Sequence, residues 1–231
     1  ANYKALTRDP SHPLFDRALM TSYPPGSTFK PTQGLILLQE GIITTATTYP
    51  CHHGYISGRL RVGCHSHASP LSLKPALQTS CNAFFCYGFK AMIDRRSKYG
   101  NAANAFEVWK KHLVSMGYGY RLGVDLPGES RGFIPNDRFY NKIYGKGHWS
   151  ANTIISVSIG QGEIGATPVQ IANLCATIAN RGWFITPHVV KAISDTVMDK
   201  KLLRVRRPTI EPRYYRDVAE GMRMAVTGGT C

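Results

Sequence analysis

Apolar residues recur at helical spacing along several stretches of this chain, and this pattern predicts its main elements. The predicted helices span residues 27–40, 71–95 with a break near Ser80, 101–116, 167–182 and 212–226. Gly41 supplies a stop signal for the first helix. The helix that opens at Thr167 has a capping-box pattern, with proline at its first helical position.

The remaining stretches lack a helical pattern. Residues 1–26 are predicted to be irregular, residues 44–70 form a polar, Gly-rich segment, and residues 117–147 are expected to be loops. Two strand-like runs follow late in the chain, at residues 184–193 and 201–206. Because helices come first and strands late, the order predicts an α+β fold rather than a regular βαβ array.

Composition and charge narrow the class of protein. A chain of 231 residues with 43% hydrophobic residues is expected to bury one substantial core. No apolar run is long enough for a membrane span, and no signal peptide is recognisable, so any anchor is expected to be removed or to lie upstream. The net charge of +14 would suit an anionic partner. However, the dense basic cluster at residues 200–207 alternates with apolar residues like an edge or hairpin strand, and no nucleic-acid partner is expected.

Ser27 and Lys30 carry the first candidate chemistry. Three residues apart at a helix start, they lie on one face, where the amine can act as a base for the hydroxyl. The free N–H groups of a first helical turn also favour negative charge on Ser27. Taken alone, Ser27 could equally be a helix cap and Lys30 an exposed lysine.

Ser80 and Asn82 form a second group, on the stretch predicted to break near Ser80. A Ser-x-x-Lys element, a Ser-x-Asn-type element and a Lys-Thr-Gly strand together make up a penicillin-recognising signature. Two of those three elements are present, in the expected order. By itself Asn82 could be a polar group inside a helix.

Four segments resemble class B penicillin-binding proteins, the monofunctional peptidoglycan D,D-transpeptidases, and above all their elongation-specific members. They are residues 23–31, 77–85, 123–129 and 158–172. The resemblance implies a penicillin-binding transpeptidase or serine β-lactamase-like fold, in which a helical subdomain accompanies an antiparallel sheet flanked by helices. Residues 1–231 would be part of a single transpeptidase domain.

The resemblance also implies a role for each site residue. Ser27 would attack the penultimate D-Ala carbonyl of a peptidoglycan stem peptide, with Lys30 as its base, and β-lactams would acylate the same serine. Ser80 would relay the proton to the leaving amine, and Asn82 would bond both Lys30 and the substrate. An extracytoplasmic location is implied, with a membrane glycosyltransferase and an elongation scaffold as partners.

The third element of the signature is missing, since no Lys-Thr-Gly follows the last predicted helix. We expect truncation before that strand, an incomplete sheet and little or no transpeptidase activity in this chain. Two alternatives remain open. One is a β-lactam sensor or a non-catalytic cell-wall binding module, and the other is a serine β-lactamase or D,D-carboxypeptidase on the same fold.

No cofactor is expected for catalysis, but residues 51–67 contain donors suited to structural zinc. The best candidate ligands are Cys51, Cys64 and His67, with His65, His52 or His53 as a fourth. A Cys51–Cys64 disulfide and free thiols are the alternatives. The thiols of Cys81, Cys86 and Cys175, which lie on predicted helices, are expected to be free and buried.

Overall fold

A computed structural model of the protein describes residues 2–192 and 199–229. The helices within that part of the chain are α1 (Asn2–Arg8), α2 (Arg17–Met20), α3 (Lys30–Gln39), α4 (Leu73–Gln78), α5 (Asn82–Ile93), α6 (Arg96–Tyr99), α7 (Ala102–Ser115), α8 (Asp137–Tyr144), α9 (Pro168–Ala179) and α10 (Pro212–Gly228). Two 3-10 helices span Gly26–Phe29 and Ile155–Ile159. The described part of the chain contains no helix with the length and hydrophobicity of a membrane span.

The core forms around α3, which is buried along nearly its whole length and packs against α5 and α10. Gly88 on α5 allows the close approach, since a Cβ there would lie 2.4 Å from a methyl carbon of Leu37. The buried polar Gln33 on α3 accepts a hydrogen bond of 2.7 Å from the Trp109 indole. The helix that follows Ser27 is therefore fixed on several sides.

The one sheet within the described residues is a hairpin of β1 (Gly54–Ser57) and β2 (Leu60–Gly63). The strands are antiparallel, with Gly54 opposite Gly63, and β1 packs against α5. The sequence pattern gave no sign of this hairpin in its polar segment. The small sheet is consistent with the expected incomplete one.

Several local predictions are confirmed. Thr167 and Gln170 form both bonds of the capping box at the start of α9. The break between α4 and α5 falls at Ser80, as predicted. The helix predicted over residues 212–226 is α10.

Other local predictions are wrong. Residues 201–206 form no strand. The two predicted strands, at residues 184–193 and 201–206, are joined only by a single antiparallel bridge between Phe184 and Arg206 within the described residues. Pro187 ends the first of these runs early. Ile193 lies outside the described residues. Residues 117–147 contain α8 because the Asn136 side chain caps its first turn, and residues 1–26 contain α1 and α2.

Candidate active site

The turn that carries Ser27 leaves this serine exposed and buries the two residues that lead into α3. Gly26 has a φ of +57°, which glycine adopts readily, and it begins the 3-10 helix that leads into α3. Phe29 and Lys30 are buried, with Lys30 only 2% exposed. The Lys30 Nζ lies 3.1 Å from the Ser27 Oγ, so the two predicted residues meet.

Ser80 joins this pair from the α4–α5 junction. Its carbonyl oxygen lies 2.5 Å from the Lys30 Nζ and its Oγ 2.8 Å from it, while the Ser80 Oγ is 3.0 Å from the Ser27 Oγ. Ser80 has a φ of +52°, a left-handed conformation that non-glycine residues rarely adopt. Such strain clusters at functional sites. The three polar groups form a closed triangle.

The environment of Lys30 favours its neutral form. Burial lowers the pKa of Lys30 to about 8, although the nearby thiols of Cys64, Cys81 and Cys86 act in the opposite direction. The ring of Phe85 lies 6.0 Å from the Nζ and helps to exclude water on that side. An amine with this pKa can accept a proton near neutral pH.

Gly160 packs against the turn that carries Ser27. Its carbonyl accepts a hydrogen bond of 2.8 Å from the Gly26 N–H. A Cβ at Gly160 would lie 2.4 Å from the Gly26 oxygen and 2.5 Å from the Phe29 Cβ, and the φ of +71° also favours glycine. This supporting role was not predicted, although the Gly-Gln-Gly segment indicates that glycine is needed here.

Asn82 lies at the first turn of α5. The predicted hydrogen bond between its side-chain amide and Lys30 is not formed. The Asn82 Nδ2 instead donates a hydrogen bond of 2.7 Å to the Gly63 carbonyl at the end of β2. The Asn82 backbone N–H donates to the Cys64 Sγ at 2.9 Å, which ties the start of α5 to the hairpin. The hairpin thus fixes Asn82, and the Ser80 carbonyl takes the place that was predicted for the Asn82 amide.

Ser27, Lys30 and Ser80 border a cleft of about 420 Å³ whose opposite wall belongs to α10. The residues lining it are Ser27, Thr28, Lys30, Pro31, Leu77, Ser80, Met222, Ala225 and Val226. The Ser27 hydroxyl therefore borders an open space, with the apolar side chains of Met222, Ala225 and Val226 across from it.

A cluster of four potential metal ligands lies beside this site. The ligand atoms of Cys51, Cys64, His67 and Cys81 all lie within 4.8 Å of one another. The three predicted ligands are therefore brought together, but the fourth member of the cluster is Cys81 rather than His65, His52 or His53. Cys81 was missed because, as the residue between Ser80 and Asn82, it was expected to be only a buried thiol.

The donor atoms fit a tetrahedral zinc ion. The sulfurs of Cys64 and Cys81 are 3.9 Å apart, close to the separation of about 3.8 Å that Zn–S bonds of about 2.3 Å require. The His67 Nδ1 lies 2.7 Å from the Ala68 carbonyl, which can only accept, so Nδ1 carries the proton and Nε2 keeps its lone pair. That Nε2 is buried, without a hydrogen-bond partner among the described residues.

The thiols of the cluster differ in the direction of their pKa shifts. Hydrogen bonds from the Cys81 thiol and the Ala83 N–H hold the pKa of Cys64 well below its usual range, while burial raises that of Cys51. All five cysteines in the described part of the chain are free thiols. The prediction that Cys175 is buried is wrong, because its side of α9 is exposed.

Comparison with known proteins places this geometry in a family. The model of the penicillin binding protein transpeptidase domain matches residues 2–231. The peptidoglycan D,D-transpeptidase MrdA of Acinetobacter baumannii is 34% identical over 83% of the chain, and MrdA of Escherichia coli K12 is 30% identical over 96%. The chain spans only 27% and 34% of the lengths of these two relatives.

Solved structures agree with this result. The chain is similar to Pseudomonas aeruginosa PBP2 with a TM-score of 0.79 and 26% identity, covering 99% of this chain and 50% of that one. It is similar to a chain of a peptidoglycan synthase complex with a TM-score of 0.80 and 31% identity, covering 99% and 37%. The predicted fold class is confirmed, and the chain belongs to the penicillin-binding protein transpeptidase domain family.

Proposed function

We propose that this chain carries the acylation half of a serine D,D-transpeptidase site, within a single transpeptidase domain to which residues 1–231 belong. The triangle of Ser27, Lys30 and Ser80 on the open cleft carries this proposal. The substrate would be a peptidoglycan stem peptide ending in D-Ala-D-Ala. The names of the MrdA relatives support this substrate class.

The hydrogen bonds around Lys30 suit a general base. A neutral amine has two N–H groups and one lone pair, and the carbonyl and hydroxyl oxygens of Ser80 can accept both N–H groups. The lone pair is then left for the Ser27 hydroxyl at 3.1 Å. The Ser80 hydroxyl is free to donate to the Ser27 oxygen, which closes the cycle.

The reaction follows from this cycle. The Ser27 proton passes to Lys30 while the Ser27 oxygen bonds the penultimate D-Ala carbonyl carbon. The peptide C–N bond then breaks, and the leaving D-Ala amine receives the proton from Lys30 through the Ser80 hydroxyl. An amine of a second stem peptide attacks the acyl ester, its proton returns to Ser27 by the reverse path, and the cross-link is formed. A β-lactam would acylate Ser27 in the same way.

We place this chemistry outside the cytoplasm, with a membrane glycosyltransferase and an elongation scaffold as partners. One structural neighbour is a Helicobacter pylori PBP2 in complex with MreC, and another belongs to a complex that coordinates polymerization and crosslinking.

We further propose that Cys51, Cys64, His67 and Cys81 hold a structural zinc ion. When bound, zinc would supply a cross-link between the two segments that flank the hairpin and the start of α5. Cys81 lies between Ser80 and Asn82, so the ligand set would hold both of these residues in place.

Labelling with a fluorescent penicillin tests the enzymatic proposal. The whole gene product should be labelled and Ser27→Ala should not be. Ser150→Ala removes an exposed serine whose hydrogen bonds within the described part of the chain go to Thr153, and it should match wild type. Undiminished labelling of Ser27→Ala would contradict the nucleophile assignment. Rapid loss of label in a chase would favour a β-lactamase, and absence of label in wild type would favour a non-catalytic binding module.

A further inference from the structure

The metal-ligand cluster opens onto a cavity whose outer wall consists of histidines. The cavity has a volume of about 160 Å³ and is lined by Cys51, His52, His53, His65 and His67. Cys51 is buried and His67 is half-buried, whereas the other three histidines are exposed. The cavity therefore leads from the surface to two of the four cluster ligands.

The opposite side of the cluster is closed. The Cys64 Sγ accepts backbone N–H groups of Asn82 and Ala83, and the Cys81 Sγ accepts that of Phe84. These N–H groups belong to the first turn of α5, where the helix dipole is positive and repels a cation. A metal ion is thus directed to the cluster from the cavity side.

The charge of the protein also works against metal entry. The net charge is +14, and Arg59 and Arg61 are exposed on the same hairpin. Electrostatic steering therefore disfavours the approach of a dication. Neutral imidazole groups are common zinc ligands and add no positive charge. Histidines at the cavity mouth can therefore coordinate the ion directly and offset the electrostatic repulsion.

The backbone holds the two histidine-bearing segments side by side. The Cys64 N–H donates a hydrogen bond of 3.0 Å to the His53 carbonyl, next to the Gly54–Gly63 pair that ends the hairpin. His53 has a φ of +56°, which turns the chain at this point. At about 30 Å³ per water molecule, the cavity has room for about five waters, enough for a partly hydrated divalent ion.

We propose that His52, His53 and His65 form an entry site that captures a divalent zinc ion and passes it to Cys51, Cys64, His67 and Cys81. This inference rests on the zinc site proposed above. The step is an exchange of ligands without redox change: metal–imidazole bonds break, metal–sulfur bonds form, and any thiol proton is released to water. The entry site governs the rate of filling, while the four-ligand cluster governs the affinity.

Metal-uptake kinetics test this role. Metal-free protein is mixed with Co²⁺ in a stopped-flow instrument, and thiolate-to-cobalt absorption reports filling of the cluster. Zinc uptake is followed in parallel with a chelating dye. The variants are the triple His52→Ala/His53→Ala/His65→Ala, the single His65→Ala, and a control with His12→Ala and His188→Ala, whose histidines lie outside the hairpin.

We expect the triple variant to fill about tenfold or more slowly, because local ligands raise the effective metal concentration at the cavity mouth. The single variant should be intermediate, the control should match wild type, and cobalt affinity and final stoichiometry should be unchanged. Equal filling rates in wild type and triple variant would overturn the entry site alone. Loss of affinity in the triple variant would make these histidines structural ligands and overturn their entry role. A wild type that binds no cobalt would overturn the zinc site itself.

Discussion

The Lys30 side-chain nitrogen lies 2.5 Å from the Ser80 carbonyl oxygen and 2.8 Å from the Ser80 hydroxyl oxygen. A backbone carbonyl is a permanent acceptor, so it orients the amine in either protonation state. It can do so only because the chain at Ser80 takes a left-handed turn that directs both oxygens of one residue at Lys30. The orientation of the proposed base therefore depends on a strained backbone conformation 50 residues away in the sequence.

The proposed base predicts a pH dependence for acylation. The pKa of Lys30 is lowered to about 8, so the amine is protonated at lower pH and cannot accept the Ser27 proton. Penicillin acylation of the whole gene product should fall about tenfold per pH unit below that value and level off above it. Lys30→Arg should reduce the rate by about 10²–10⁴. Lys74→Arg, which keeps a surface ion pair with Asp217, is the matched control, and a pH-independent rate would contradict the assignment.

The strain at Ser80 predicts a difference between two variants that both lose the hydroxyl. Ser80→Gly should be more stable than Ser80→Ala by about 1 kcal/mol, because only glycine adopts the left-handed conformation without a steric penalty. Both should be labelled by penicillin equally poorly. Urea unfolding measures the first effect, and an alanine variant as stable as the glycine variant would show that the strain is absent.

Gly160 should tolerate no side chain. Gly160→Ala would place a methyl group 2.4 Å from the Gly26 carbonyl oxygen, so the Ser27 turn has to shift. We expect a loss of about 1–3 kcal/mol in unfolding free energy and at least tenfold slower penicillin acylation. The control is Gly58→Ala, at a glycine with positive φ but open space around it, which should cost stability without slowing acylation.

Removal of metal should destabilise the protein through the cysteine cluster. A chelator should lower the thermal midpoint of wild type, and a chelator-resistant midpoint would be evidence against a structural metal ion. Cys81→Ser should show a smaller shift, while Cys175→Ser, at an exposed thiol outside the cluster, should behave like wild type. Absence of bound zinc together with a Cys51–Cys64 bridge in mass spectrometry would rule out the zinc site.

Glu40 should make the fold sensitive to acid. Burial opposes its charge, but hydrogen bonds from Lys98, Tyr99 and His112 outweigh that effect and hold the pKa of Glu40 at about 2. A carboxylate whose pKa is lowered on folding stabilises the folded state at every pH above its unfolded-state pKa. This contribution is lost as the pH falls toward the folded-state pKa of about 2. We expect Glu40→Gln to remove about 1–2 kcal/mol at neutral pH, after solvent screening, and to flatten the urea midpoint between pH 5 and pH 2. Glu107→Gln, on the exposed side of α7, should keep the wild-type profile.

The sequence predicted those features that depend on neighbouring residues. Ser27 and Lys30 meet because one helical turn separates them, and Thr167 caps its helix because Gln170 lies three residues on. The hairpin at Gly54–Ser57 was missed because its strands are short and pack against α5 from a polar segment. The prediction of a strand at residues 201–206 was wrong because an alternation of basic and apolar residues does not by itself supply a partner strand.

By itself, then, the sequence was enough to predict the proposed nucleophile and base, most of the helices and the family resemblance, since each rests on local spacing or on contiguous motifs. Only the tertiary structure decided that Ser80 turns two oxygens toward Lys30, that Asn82 bonds Gly63, and that Cys81 completes the ligand cluster. These contacts join residues far apart in the chain. Their geometry is set by how α5, the hairpin and α3 pack together, which no spacing along the sequence specifies.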